Sequence, residues 1–265
     1  MSESYETNYT RITYQTDQGL AIITLARPEK RNALDERTIA ELHHAISTAA
    51  VDDGVRVILL RGSGPAFCAG ADLSELEKIA AGTGPLENLE DANALGELLL
   101  IIRRIPKPVI AAVHGHTFAG GAGLATSCDL VLARADTTFG YPEVHLGFVP
   151  AMVMALLRRI CGEKKAFELV ARGDRIGAEE AERLGLVNRI YPEPTFEADT
   201  LEYARELAER SPSALQLIKR LFYGIDGVPL EEAIGRGAEI NVLARMTEDT
   251  RAGVRRFLES RGKKG

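Results

Sequence analysis

The first candidate for chemistry in this chain is a glycine-rich stretch at residues 113–124, which reads VHGHTFAGGAGL. It follows an apolar run at 108–113 that predicts a buried strand, and it precedes residues 124–128, which can start a helix. A strand-to-helix junction leaves backbone N–H groups without intrahelical partners, and glycines let a ligand approach them. The pattern therefore predicts an anion or oxyanion site. A turn that only lets helix and sheet pack closely explains the stretch equally well.

A second junction of similar build lies earlier in the chain. The apolar run at 55–60 predicts a strand, and residues 62–75 behind it carry glycines, small residues and an acid. Asp72 and Ser74 stand where the first residues of a helix benefit from its free N–H groups. The two junctions could each present a backbone donor to one ligand. Alternatively, residues 68–71 are small only because they pack closely.

One acid, Glu143, stands among apolar and small residues directly after Pro142. Proline at that position favours the start of a helical turn. A carboxyl group in apolar surroundings has a raised pKa, because burial disfavours its charged form, and it can then exchange protons near neutral pH. By itself, a lone glutamate is more often a surface residue or a helix-start residue.

Several familiar kinds of site are missing from the sequence. No G-x-G-x-x-G follows a strand, and there is no P-loop, H-E-x-x-H or G-x-S-x-G pattern. The three cysteines lack C-x-x-C spacing, which predicts neither a disulfide framework nor a zinc site. The formal net charge of -6 opposes general nucleic-acid binding. We therefore expect no metal, no separate cofactor and no nucleic-acid partner.

Length and composition favour a large domain with a possible appendage. The chain has 265 residues, and 45% of them are hydrophobic, which can fill a substantial core. No apolar run approaches the roughly 18 residues that a membrane span needs, so we expect no membrane partner. Residues 1–7 are polar and acidic and are expected to form a short frayed tail. The free cysteines fit a cytoplasmic location.

The elements that must position these residues follow from local patterns. A β-hairpin is expected across the turn at 17–19, and Asp35 is a plausible N-cap for the next helix. Residues 76–93 suggest a mobile segment over the site. Further strands are expected at 129–133, 137–140 and 186–191, and helices at 95–105, 151–161, 163–172, 178–184, 214–225, 230–246 and 250–261.

Three motifs together resemble the enoyl-CoA hydratase/isomerase (crotonase) superfamily, namely residues 66–73, 113–123 and 141–150. Similar sequences also occur at 27–34 and 176–187, in the same order. The resemblance implies an α/β fold, a crotonase (ClpP-like) spiral of repeated ββα units over 1–195, followed by a helical trimerisation region at 196–265. It also implies acyl-CoA thioester substrates and a homotrimer or a dimer of trimers.

The resemblance also assigns roles to individual residues. In this family two backbone N–H groups hold the thioester oxygen, and they correspond to Ala71 and Gly120; the acid/base corresponds to Glu143. Two such donors would stabilise an enolate, and removing one typically costs roughly 10² to 10³ in rate. The family's contacts to coenzyme A, many of them from the backbone, correspond to Lys30, Arg31, Ala33, Ala69, Asp72 and Leu73.

The departure from the family pattern concerns a second acid. Two-acid hydratases of the family carry another glutamate at the position of Gly123, so only Glu143 remains here. Residues 150–154 replace a glycine-rich family motif, and we expect a more apolar acyl pocket. We interpret the chain as an enoyl-CoA hydratase/isomerase-type enzyme, a lyase or isomerase, that works through an oxyanion-stabilised enolate with one glutamate.

Three alternatives remain open. The first is a Δ3,Δ2-enoyl-CoA isomerase with little hydratase activity, since moving a double bond needs only one base. The second is a non-catalytic acyl-CoA-binding protein, against which the retention of Glu143 argues. The third is a family member that also binds RNA, against which the net negative charge argues.

Overall fold

The computed structural model describes residues 9–82 and 84–262, except for the side chains of residues 79 and 262. The tail expected at 1–7 lies outside the described residues. The strands are β1 (Ile12–Asp17), β2 (Leu20–Leu25), β3 (Val57–Gly62), β4 (Ala66–Cys68), β5 (Val109–Val113), β6 (His116–Phe118), β7 (Leu130–Arg134), β8 (Thr138–Gly140), β9 (Arg175–Gly177) and β10 (Arg189–Tyr191). The helices are α1 (Glu36–Val51), α2 (Leu73–Ala81), α3 (Pro85–Arg104), α4 (Ala119–Ser127), α5 (Ala151–Arg172), α6 (Ala178–Arg183), α7 (Phe196–Ala208), α8 (Pro212–Gly224), α9 (Leu230–Met246) and α10 (Glu248–Gly262).

The main sheet has six strands in the order β1-β2-β3-β5-β7-β10. β1 and β2 form the expected antiparallel hairpin, and both of its turn residues, Gln18 and Gly19, have positive φ, as two-residue hairpin turns require. The other pairs are parallel. The expected N-cap is also present, since the Asp35 carboxylate accepts a hydrogen bond from the N–H of Thr38 at 2.7 Å.

Both faces of this sheet are covered. Every residue of β5 is buried, which is typical of a parallel strand between two layers. One face packs against the helices of the larger core, including α1, α3 and α4. The other face packs against α7 through Phe196, Ala204 and Ala208. Thus α7, which follows the predicted boundary at residue 195, completes a layer of the core.

A second, smaller sheet has the order β4-β6-β8-β9. Strands β4, β6 and β8 run parallel, and β9 is antiparallel to β8. Sequence patterns predicted β8 only. All four strands have only three residues, which is too short to show a clear alternation, so local patterns identify such strands poorly.

Two sequence predictions were wrong about helices. Helix α4 begins at Ala119, five residues before the expected start at residue 124, so the glycines belong to its first turns. The helix expected at 95–105 begins ten residues earlier, since α3 starts at Pro85. The mobility expected of residues 76–93 stays a prediction. Proline at the first position of α3 favours a helix start, and Leu98, Leu99 and Ile102 anchor its other end in the core.

The C-terminal helices were predicted closely. The expected ranges 214–225, 230–246 and 250–261 correspond to α8, α9 and α10. Large apolar side chains on these helices remain exposed, among them Phe222 (68%) and Ile234 (68%). Across the described part of the chain, none of the helices is both long enough and apolar enough to span a bilayer.

Candidate active site

The small sheet brings the three predicted catalytic positions to one edge. Its parallel strands β4, β6 and β8 lie side by side, with Cys68 opposite Thr117 and Phe118 opposite Gly140. Ala71, Gly120 and Glu143 each follow one of these strands by two or three residues. Because parallel strands end at the same edge of a sheet, all three residues lie there. We call this group of three residues the site edge.

The first donor, Ala71, is held in place by its backbone neighbours. The N–H of Leu34 donates to the carbonyl of Gly70 at 2.7 Å, and the N–H of Asp72 donates to the carbonyl of Leu34 at 2.9 Å. These two bonds leave the N–H of Ala71 between them without an acceptor among the described residues. Ala71 is also exposed, so this donor is available to a ligand.

The second donor, Gly120, lies in the first turn of α4, where an N–H has no intrahelical partner. No side chain caps this helix within the described residues. Ala119, which precedes Gly120, has a φ of +50°, a left-handed conformation that costs a non-glycine residue about 1–2 kcal/mol. Backbone strain of this kind is concentrated at functional sites, where it aims a group at a ligand.

Gly70 shows that the two junctions touch each other. A Cβ atom added to Gly70 would lie 2.7 Å from Cβ of Ala119 and 3.6 Å from the backbone nitrogen of Gly120. The φ of +99° at Gly70 also excludes most side chains. Glycine is therefore required here because two backbone segments meet, and this meeting brings Ala71 next to Gly120.

The residues expected to contact coenzyme A come from two loops that the structure joins. The N–H of Ala69 donates to the carbonyl of Arg31 at 3.0 Å, next to the Leu34 bonds described above. Lys30 and Arg31 are exposed and could meet an anionic group. Ala33 is buried, and Leu73 is 67% exposed.

Asn32 is a positioning residue that the sequence patterns did not reveal. Its side chain accepts a hydrogen bond from the N–H of Arg27 and donates to the carbonyls of Ser63 and Ala66 at 2.8 Å each. Asn32 has a φ of +55°, which asparagine tolerates better than most residues. Asn32 thus connects the loop at residues 27–34 to β4. Its side-chain partners are distant in the sequence, so only its tolerance of this conformation could have drawn attention to it.

Asp72 uses its side chain within the protein. One carboxylate oxygen lies 2.7 Å from the guanidinium of Arg27, and the other accepts from the N–H of Ser74 at 3.1 Å, as the helix-start pattern indicated. Burial alone would raise the pKa of Asp72, but the hydrogen bonds from Ser74 and Arg27 outweigh it and lower the pKa. Both the carboxylate and the backbone N–H of Asp72 thus have partners within the protein, and the contact with coenzyme A expected of Asp72 stays a prediction.

Glu143 lies in the 3₁₀ helix Pro142–Leu146, which confirms the helical turn expected after the proline. Its side chain is half-buried, and Oε2 is shielded from solvent without a hydrogen-bond partner among the described residues. Burial raises the pKa of this carboxyl group above its ordinary value. Unlike Asp72, Glu143 has a carboxylate oxygen that no other group among the described residues binds.

Apolar side chains surround the first turns of α4. A Cβ atom added to Gly120 would lie 3.5 Å from Cδ1 of Leu34 and 3.7 Å from Cδ2 of Leu95. A Cβ atom on Gly123 would lie only 2.5 Å from Cγ2 of Val153. The carbon skeleton of a substrate held at Gly120 would therefore meet hydrocarbon on this side.

Other polar positions do not join this site. His114 lines a separate cavity of about 470 Å³ behind α7, where its Nε2 lies 2.9 Å from the carbonyl of Gly64. His114 therefore lies apart from the site edge and lines a different cavity. Over the described residues, no group of three or more His, Cys, Asp or Glu side chains is arranged to hold a metal ion.

Comparisons with known proteins identify the family and the fold. Residues 15–264 match the family model described as "Enoyl-CoA hydratase/isomerase". The chain is 40% identical to a putative enoyl-CoA hydratase of Thermus thermophilus, over 93% of this chain and 98% of that protein. It is 33% identical to the 2,3-dehydroadipyl-CoA hydratase of Escherichia coli, over 92% and 94%. A putative enoyl-CoA hydratase of Streptomyces coelicolor superposes with a TM-score of 0.91, at 30% identity, over 98% and 97% of the two chains.

Proposed function

This chain belongs to the enoyl-CoA hydratase/isomerase family of enzymes, and we propose that it moves the double bond of a 3-enoyl-CoA to the 2-position through an enolate. The observation that carries the proposal is the composition of the site edge. It has two free backbone donors and one carboxyl group with an unpaired oxygen, Glu143, whereas Gly123 has no side chain where two-acid hydratases carry a second acid.

In the proposed reaction, the N–H groups of Ala71 and Gly120 donate to the thioester oxygen. Glu143 removes a proton from C2, and the electrons of that C–H bond form the dienolate, whose charge rests on the thioester oxygen. The protonated glutamate then returns the proton at C4, which leaves a double bond between C2 and C3. The two donors stabilise charge that appears only as the reaction proceeds, which is how such donors accelerate enolate formation.

The raised pKa of Glu143 suits this double role. A carboxyl group with an ordinary pKa is a weak base toward a carbon acid and a poor proton donor near neutral pH. Burial raises the pKa of Glu143 toward the working pH. The reaction requires no metal or redox group, and coenzyme A enters as part of the substrate.

Hydration of a 2-enoyl-CoA is the second candidate, and the relatives favour it. The proteins from Thermus thermophilus and Escherichia coli are both named as hydratases. Addition of water asks the site to orient a nucleophile and to deliver a proton, work usually divided between two carboxyl groups. We therefore expect hydration by this chain to be the weaker activity.

The assembly we propose is a homotrimer or a dimer of trimers in the cytoplasm. The exposed apolar side chains of the C-terminal helices support association, for example Phe257 (56%) and Leu258 (62%) on α10. Analytical ultracentrifugation of the full chain tests this proposal, since a monomer at micromolar concentration would contradict it.

The reaction is tested by assaying the purified protein on a panel of 3-enoyl-CoA and 2-enoyl-CoA thioesters with mass and absorbance detection. We expect isomerisation to exceed hydration. Hydration at least as fast as isomerisation would favour the second candidate. Tight binding of acyl-CoA with neither reaction would instead identify a non-catalytic binding protein.

The oxyanion assignment is tested with Gly120→Pro, which removes one donor N–H in the first turn of α4. Proline also disfavours the left-handed conformation of the preceding Ala119, so circular dichroism must first show that the variant is folded. We expect kcat to fall roughly 10² to 10³-fold. A folded Gly120→Pro protein with full activity would place the donor elsewhere.

A further inference from the structure

The space where a second acid would stand is already filled in this protein. Gly123 lies in α4 and Val153 lies in α5, and these helices pack against each other. A Cβ atom on Gly123 would come within 2.5 Å of Cγ2 of Val153, far closer than non-bonded carbon atoms approach. The missing glutamate is therefore matched by a side chain that occupies its place.

Val153 is fixed in that place. It is only 3% exposed and belongs to the main hydrophobic core. A β-branched side chain in a helix has one strongly preferred rotamer, so its methyl groups cannot easily turn away. The neighbouring Met152 contacts α3, since a Cβ atom on Gly96 would lie 3.9 Å from its Cγ. The start of α5 is thus held between α3 and α4.

This arrangement decides where a reacting water could be held. An ordered water in a protein interior typically makes about three hydrogen bonds. Hydrocarbon from Val153, Leu95 and Leu34 lines this side of the site, and Gly123 contributes no polar side chain. Glu143 is then the acid left at the site edge to hold a water, and the same glutamate must also move the proton.

We propose that Val153 determines reaction specificity by filling the volume next to Gly123 and excluding both a second carboxyl group and a nucleophilic water. This inference rests on the proposed function and adds a specificity-determining residue to it. Val153 leaves the proton transfer between C2 and C4 unhindered and suppresses addition of water at C3.

The test compares wild type with Gly123→Glu, Val153→Ala and the double variant that combines them. Hydration of 2-enoyl-CoA is followed as incorporation of oxygen from ¹⁸O-labelled water into 3-hydroxyacyl-CoA, and isomerisation of 3-enoyl-CoA is followed by absorbance. In the double variant we expect hydration to rise about 10²-fold over wild type, the low end of what one positioned acid or base contributes. Gly123→Glu alone should hydrate no faster than wild type, because the new side chain meets Val153.

The matched control is Gly123→Glu combined with Val109→Ala. Val109 is a fully buried valine at the start of β5, so the control truncates the same core without vacating the space beside Gly123. Hydration by this control should stay at the wild-type rate. Equal hydration by the control and the double variant would overturn the proposal, as would a double variant that isomerises but does not hydrate.

If the double variant fails to fold, Val153→Ala alone still decides the question. Its ratio of hydration to isomerisation should rise several-fold, since water gains room beside Gly123, and an unchanged ratio would contradict the role of Val153. Failure of the proposed function looks different, because it appears in wild type itself, which would then hydrate at least as fast as it isomerises or catalyse neither reaction.

Discussion

Two polar regions of this molecule are organised in opposite ways. In the first, which we call the α8 anchor, Lys219 of α8 donates to the carbonyl of Ile102 at 2.6 Å, to that of Lys107 at 2.8 Å and to the Asp129 carboxylate at 2.6 Å. Tyr223 donates to the other oxygen of Asp129 at 2.8 Å. The second region is the site edge, where Glu143 keeps an unpaired, shielded oxygen.

The comparison distinguishes polar groups whose partners lie within the protein from a polar group that has no partner among the described residues. A buried polar group without a partner costs about 1–3 kcal/mol, so proteins keep few of them. The α8 anchor avoids this cost by pairing its charges, and in doing so it attaches α8 to the core. The site edge bears the cost and also keeps Ala119 in a strained conformation, as is expected of the substrate site that we propose there.

The largest expected effect is on activity, from Glu143→Gln. The amide keeps the shape of the side chain and cannot carry the proton, so turnover should fall by about 10³-fold or more while acyl-CoA binding persists. Stability should change by less than about 1 kcal/mol, because the variant breaks no ion pair of Glu143. Steady-state kinetics and urea unfolding measure both quantities, and near-normal kinetics would remove Glu143 from the mechanism.

The opposite result is expected at the α8 anchor, from Lys219→Met. This variant leaves the Asp129 carboxylate without its cation, and breaking a buried pair typically costs about 3–5 kcal/mol. Turnover per folded molecule should stay unchanged.

The matched control for that variant is Lys165→Met. Lys165 pairs with Glu168 on the surface of α5, so unfolding of the control should match wild type. Equal stability of the two variants would show that the α8 anchor contributes nothing to the fold.

Activity and stability should respond to acidification in different ways. Because burial raises the pKa of Glu143, the acidic limb of kcat/KM should lie above the ordinary glutamate value of about 4.3. A raised pKa in the folded state means that folding favours the protonated form, so acidification increases this group's contribution to stability. Comparing thermal unfolding of wild type and Glu143→Gln across pH measures that contribution. An acidic limb at the ordinary value would contradict the assignment.

The smallest effect is expected from relieving the strain at Ala119. Ala119→Gly removes a cost of about 1–2 kcal/mol and adds about 0.4–1 kcal/mol of chain entropy to the unfolded state, so stability should rise by about 0.5 kcal/mol. Ala122→Gly, at a buried position of the same helix without positive φ, should instead destabilise the protein. Urea unfolding distinguishes the two signs, and destabilisation by both would show that Ala119 is unstrained.

Local patterns determined much of this protein. The hairpin, the buried strand β5, the Asp35 cap and the C-terminal helices were predicted because each depends on periodicity or hydrogen bonds within a few residues. Local patterns also drew attention to Glu143 and to the two glycine-containing junctions, but the roles of Ala71, Gly120 and Glu143 came from the family resemblance and stay predictions.

Tertiary structure decided the rest, because the deciding contacts join distant residues. Three-residue strands such as β4 and β6 form by pairing with each other, so local sequence patterns do not identify them. Arg27, far from Asp72 in the sequence, commits that acid to an ion pair, while the surroundings of Glu143 leave it unpaired. The sequence shows both acids, but only the three-dimensional arrangement of their partners distinguishes the structural acid from the one available for chemistry.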